Sequence, residues 1–330
     1  MLISPAHIVI NVLSALGGLL MMMIVVWFRF TQPDIAKTMS FRLSFWIGFV
    51  DMLWRTEYIL EYSDEITHPL AGQHHWFIRL LAFARVFLRV WGVLLVFCVA
   101  FDLHLSFIRQ RPATRRLQRF YTPISFLIAF CVNIPWLVER RLDYITKWET
   151  IVPGWDRQES YLIMTFGVTI WIVITILYST VVVVMVLLRV LTESRKLRKV
   201  QNVTEDLRMR EHQLITSVLR VLLYPVVLII TQPTGVILDW IFITTTDSDS
   251  PSLKTLVDID AVLLGLIGIL NLIVFLLNPA LHRGLELVPW LNKRWPFKPD
   301  PRNIEYYPNT SPNKPPLISN PDDLSGEEQE

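Results

Sequence analysis

Arg85 and Arg89 stand four residues apart inside a long apolar run, and Glu57 and Glu61 do the same in the run before it. Residues four apart share one face of a helix. Charge inside hydrocarbon is costly, so ionisable residues in such runs are functional candidates by default. Asp258 and Asp260 open the last apolar run at a similar height. These six side chains admit two readings. They pair with one another and orient the helices, or they line an outward-facing pocket whose arginines meet an anionic or polar ligand. The readings overlap, because a ligand can exchange with an ion pair.

Other polar residues lie deeper. Counting ~1.5 Å per residue from the basic ends of their runs places Asp51 and Asn271 both roughly 12 Å in. A carboxylate beside an amide on a neighbouring helix is a sensible buried contact, and it can also hold a cation or take up a proton. Asp102 and Arg220 both fall at roughly 8–9 Å on the same rise. They are either a resting-state pair or separate groups reaching for the interface. "LLYPVVLIITQPTG" places Pro225 and Pro233 in one apolar run. Each proline removes a donor and frees a carbonyl four residues earlier, of Val221 and Ile229. Pro225, beside Tyr224 and one turn from Arg220, is the better hinge candidate; Pro233 is expected to shape the pocket.

The elements that position these residues are long. Of 330 residues, 52% are hydrophobic and 18% charged, against about 25% charged in soluble domains. The apolar residues form runs of roughly 20, the length that crosses ~30 Å of hydrocarbon. Seven are expected, near His7–Phe28, Phe41–Leu60, Phe77–Ile108, Tyr121–Val138, Tyr161–Leu191, Leu214–Ile243 and Leu256–Ala280. The first lacks a basic leader and a small-residue cleavage site, so it is read as a helix rather than a signal. The expected fold class is an all-α membrane protein, a bundle of seven transmembrane helices.

Lysine and arginine in short loops set orientation. Arg109, Arg111, Arg115, Arg116 and Arg119 follow the third run; Arg195, Lys196, Arg198 and Lys199 follow the fifth. Two of the alternate loops carry mainly acids, and the one from Glu139 to Glu159 is of mixed charge. The N-terminus is therefore expected outside and the C-terminus in the cytoplasm. The same arginines suit an acidic protein surface or anionic lipid, although topology alone accounts for them equally well. Residues 1–284 form the expected membrane domain. Residues 285–295 mix Trp290, Trp295 and basic side chains and are expected to lie at the headgroup layer. Residues 296–330 are rich in proline and acid and are expected to be disordered.

Enzyme chemistry is not expected. No G-x-S-x-G elbow, P-loop, H-E-x-x-H or C-x-x-C occurs. No cofactor, metal or nucleic-acid partner is expected. His68, His74 and His75 read as loop residues. A retinal pigment needs a lysine inside the seventh run, and Lys254 precedes it. Cys98 and Cys131 read as small buried side chains.

Three stretches carry a resemblance. "VWGVLLVFCVAFDLHLSFI" contains Asp102-Leu103-His104-Leu105, "LRVLLYPVVLIITQP" contains Arg220, Tyr224 and Pro225, and "GLIGILNLIVFLLNPALHRGL" contains Asn271 and Asn278-Pro279-Ala280. In order and placement they resemble the third, sixth and seventh helices of G-protein-coupled receptors, in particular the fungal receptors similar to slime-mould cAMP receptors. The resemblance covers roughly residues 7–285. It implies a multi-pass plasma-membrane receptor that senses an extracellular small molecule or nutrient and activates a heterotrimeric G protein, with cAMP-type signalling. Two departures stand out. The loop "ERRLDYITKWETIVPGWDRQES" has no cysteine to tie to the third helix, and the acid–arginine–tyrosine triplet of rhodopsin-like receptors is missing. The rival reading is a seven-helix transporter or channel using the intramembrane carboxylates.

Overall fold

A computed structural model of the chain describes residues 5–36, 38–61, 75–109, 114–138, 142–145, 150–153, 165–199, 218–219, 221–244, 251–278 and 281. The chain divides into two units, Met1–Gly284 and Leu285–Glu330. No described residue falls in the second, so the expected interfacial segment and tail lie outside the described residues.

The first unit is built from helices: α1 (Pro5–Thr31), α2 (Pro33–Ala36), α3 (Met39–Glu61), α4 (His75–Leu103), α5 (Arg115–Val138), α6 (Ile170–Lys199), α7 (221–231), α8 (Pro233–Thr244) and α9 (Pro251–Leu276). Four of them, α1, α2, α8 and α9, start on proline, whose missing N–H is no loss there and whose fixed φ suits the first turn. A five-residue π-helical segment extends α4 over His104–Ile108, and another, Thr165–Thr169, leads into α6. The all-helical expectation fails at one place among the described residues. Leu142–Ile145 (β1) and Thr150–Pro153 (β2) pair as an antiparallel hairpin, formed where Tyr144, Ile145, Thr150, Ile151 and Val152 supply strand-favouring side chains.

Six stretches are long and apolar enough to cross a membrane: Ala6–Thr31, Phe83–Ile108, Arg116–Ile134, Gly167–Thr192, Val221–Ile241 and Ser252–Leu276. The chain has the architecture of a multi-pass helical membrane protein. α3 is not among the six, because Arg42, Asp51, Arg55 and Glu57 lower its hydropathy. Its 23 residues still reach about 34 Å at ~1.5 Å per residue.

α3 packs against α1, α4 and α9, and α4 also packs on α5 and α6. α4 is the central helix: 67% of its apolar window is buried, against 22–33% for α1, α5, α6 and α9. On α1 and α5, Ile8, Leu16, Met23, Ile124 and Leu127 face outward, as lipid-facing positions do.

Small residues let α1 close on its neighbours. A Cβ on Gly48 would lie 2.9 Å from the Gly18 carbonyl oxygen, and one on Gly17 would lie 3.2 Å from that of Gly268. The Gly268 N–H also donates to Ser14 Oγ at 2.9 Å. Without water to expel, such close backbone approach is what holds helices together in lipid. Edge-to-face rings add to it: Phe28, Phe41 and Phe275 join α1, α3 and α9, at centroid distances of 5.4 and 5.5 Å. Trp91 of α4 meets Phe126 of α5 at 5.1 Å. Cys98 is half-buried but Cys131 is exposed, on the outward face of α5, which corrects the expectation for that cysteine.

Candidate functional site

Polar side chains collect along the inside of the bundle in three groups. The first lies toward the end where α3 finishes and α9 begins. Arg89 of α4 pairs with Asp239 of α8, Nη1 to Oδ2, at 3.5 Å. Thr234 of α8 donates to Asp260 Oδ1 of α9 at 2.9 Å. Gly235 sits where these meet: a methyl there would strike the Arg89 guanidinium and lie 3.2 Å from Asp260 Oδ1. Glycine therefore lets the Arg89 guanidinium lie against the α8 backbone here, a matter of close approach rather than of backbone conformation. Arg85 acts electrostatically on Asp239, as Arg89 does on both acids. Arg89 Nε and Nη2 make no hydrogen bond, so this cluster has donor capacity beyond its internal pairs.

Arg55 of α3 belongs to the same region. It is 1% exposed, its Nη1 donates to Asn11 Oδ1 of α1 at 3.0 Å, and its guanidinium lies 4.1 Å from the Trp54 ring centroid. Asn11 in turn donates to the His7 carbonyl at 2.8 Å, which fixes its amide. A cation so deeply buried is tolerated only with charges of opposite sign nearby. Asp51, Glu57 and Asp260 are within its electrostatic reach.

The second group is the pair expected from sequence. Asn271 Nδ2 donates to Asp51 Oδ2 at 2.7 Å, with both residues buried. About two helical turns earlier on α3, Ser44 Oγ shares a hydrogen bond of 2.8 Å with Tyr224 Oη. A cavity of about 30 Å³ borders Asp51, Asn271, Tyr224, Thr231, Gln232 and Arg89. The cavity thus touches both groups.

The third group lies at the opposite end. Asp102 faces Gln118 and Tyr121 of α5. Arg220 lies outside the described residues. His104 stacks on Tyr178 of α6 at 6.0 Å. Arg189 of α6 donates to the carbonyls of Phe107 and Ile108. Those groups end the α4 extension and lack helical partners, so a guanidinium is a suitable cap for them. This contact sets the C-terminal end of α6 beside that of α4. Arg109, Arg116 and Arg195 are exposed there. Arg115, Lys196, Arg198 and Lys199 lie on the same helices, their side chains undescribed; Arg111 lies outside the described residues.

Among the six candidate ligand residues, Arg85, Arg89 and Asp260 come together. Glu57 is buried on α3, Asp258 is exposed on α9, and Glu61 ends α3 with its side chain undescribed. Asp239, Arg55, Thr234 and Asn11 were not singled out from sequence. Asp239 carried the same signal as Asp51, an acid inside an apolar run ("GVILDWIF").

The two prolines behave differently. Residues 221–231 stay helical through Pro225, which is buried, whereas the helix breaks at Gln232, just before Pro233. Thr231 Oγ1 donates to the Val227 carbonyl at 2.8 Å, one turn back in α7; the carbonyl that Pro233 deprives of its N–H is that of Ile229.

Among the described residues, no group of three or more His, Cys, Asp or Glu could hold a metal ion. His68 and His74 lie outside the described residues. No protein-family model matches the chain, and no curated protein is significantly similar to it.

Proposed function

We propose that the chain is a seven-span receptor of the plasma membrane, with its N-terminus outside, which activates a heterotrimeric G protein when a small extracellular molecule binds. α3 supplies the seventh crossing. The observation that carries this reading is the division of the bundle into two unlike ends. One end holds the Arg89–Asp239 and Thr234–Asp260 cluster inside the bundle. The other exposes Arg109, Arg116 and Arg195 at helix ends. By the bias of positive residues toward the cytoplasm, the cluster faces outward and the arginines face in.

A ligand with both an acceptor and a donor group suits the outer cluster. It would take the open Arg89 nitrogens and compete with Thr234 for Asp260. Moving Arg89 disturbs the wall of the cavity that also borders Asp51 and Asn271, and the broken segment at Gln232 gives α7 and α8 a joint about which to move. The basic inner face suits an acidic G-protein surface. The fungal cAMP-receptor-like subfamily is the finer reading, supported by the three sequence stretches alone.

A second reading, a transporter, is favoured by one observation: a broken helix and a buried carboxylate share one cavity near the middle of the bundle, as in many ion-coupled carriers. Nucleotide exchange on co-expressed Gα subunits, screened with and without ligands, separates the two. Exchange above that of membranes lacking the chain is expected. Pro233→Ala, at the joint, is expected to alter that exchange at normal surface expression. Electrogenic uptake of a solute with no exchange would sink the receptor reading.

A further inference from the structure

Arg89 borders the cavity of about 30 Å³ between α3, α4, α7 and α9. Its Nη1 is the nitrogen paired with Asp239, while Nε and Nη2 are buried without a hydrogen-bond partner. Those two N–H groups lie on one edge of the planar guanidinium and point the same way, so a single carbonyl oxygen can accept from both. Nη2 is the atom a methyl on Gly235 would strike, which places this edge beside the first turn of α8. Gln232 opens that turn: its backbone carbonyl accepts from the Val236 N–H at 3.2 Å, and its side chain is on the cavity wall. Gln232 Oε1 is buried with no donor, and so is Asn271 Oδ1 on the same wall, because the Asn271 nitrogen is turned to Asp51. Unmet polar groups inside a protein are costly. Two open donors and two open acceptors around one cavity suit a small group that carries one acceptor and two donors.

We propose that this cavity binds a primary carboxamide on a short carbon chain. The amide oxygen accepts from Arg89 Nε and Nη2, its two N–H groups donate to Gln232 Oε1 and Asn271 Oδ1, and the chain lies against Val93, Val96, Val227 and Ile267. Charge argues for an uncharged group. Among the described residues, the cations acting here are Arg55, Arg85 and Arg89, and the acids are Asp51, Glu57, Asp239 and Asp260. The acids already outnumber the cations, so a carboxylate would add negative charge to a low-dielectric interior, and an ammonium would stand against the Arg89 guanidinium. A volume of about 30 Å³ has room for roughly two or three water-sized groups, at roughly 10–15 Å³ each on the same measure. That limits the chain to a few carbons.

The proposal rests on the reading of Arg89 as part of a ligand site, and its test needs no G protein. The full chain in lipid nanodiscs is unfolded by heat at fixed ionic strength, with tryptophan fluorescence as the readout and propionamide as the probe. Propionamide is expected to raise Tm saturably by about 2–4 °C. Sodium propionate, of the same shape but charged at neutral pH, is expected to match sodium chloride, and butanone, which lacks the N–H groups, to match buffer. Arg89→Lys keeps the charge but loses the planar edge and should abolish the rise. Gln232→Leu should weaken the apparent affinity about tenfold. No rise with propionamide overturns the proposal, as does an equal rise with propionate or a rise that survives Arg89→Lys. Should Arg89→Lys fail to fold, the Gln232→Leu titration decides, and an unchanged affinity overturns the site. The two readings fail separately: a rise in Tm without nucleotide exchange contradicts the receptor and leaves the site, whereas exchange driven by another ligand with no rise contradicts the site alone.

Discussion

Asn271 donates to Asp51 in the interior of the bundle, and leucine at that position would leave the Asp51 oxygen without this donor. Asn271→Leu is expected to lower stability by about 1–2 kcal/mol, measured by unfolding in detergent against the parent chain. Gly235→Ala probes the other group. Its methyl must push the Arg89 guanidinium away, and the Arg89–Asp239 pair lengthens. Ligand-stimulated exchange is then expected to weaken while surface expression stays normal, because the clash falls on the far end of a flexible side chain. Unchanged stimulation would remove Arg89 from the ligand site. Asp51, Asn271, Arg89 and Asp260 were readable as single residues, since each interrupts an apolar run. Their partners were not all readable. Arg89 meets Asp239, and which acid it meets depends on the rotation of α8. That helix, "PTGVILDWIFIT", is apolar on nearly every side, so its periodicity does not say which face turns inward.

At the scale of elements, the hydropathy of the chain carries far. Each of the seven expected runs overlaps a described helix, and α1, α3 and α4 match their runs to within a few residues at the described ends. Length and composition decide where a helix can lie in lipid, and both are local properties. The break at Gln232 was less legible, because Pro225 and Pro233 give the same local signal; it falls at the second, which opens a new helix. The β1–β2 hairpin was hidden within a loop of mixed charge. Close packing of α1 on α3 yields a prediction of its own. Gly48→Val places carbon against Gly18 and Met21, where backbone cannot give way, and overpacking of this kind costs about 1–3 kcal/mol. A fall in Tm is expected, and Gly92→Val, whose Cβ would meet only Val50 at 3.3 Å, should cost less. Equal losses would show that the α1–α3 approach is not the tighter contact.

For the molecule as a whole, the polar groups run from Arg89 and Asp260 through the cavity to Asp51, Asn271 and Tyr224, and the exposed arginines lie at the far end. A receptor uses that file to pass a shift of helices, whereas a carrier uses it to pass an ion or solute. Sequence separated the file into groups at different depths but did not show that one cavity touches two of them, because a cavity exists only once the helices have packed. Nucleotide exchange on Gα subunits co-expressed with the chain, with and without candidate ligands, tests the receptor account most directly. The account predicts exchange faster than in membranes without the chain, altered by Pro233→Ala. Exchange equal to that of those membranes, together with solute-driven current, would contradict it.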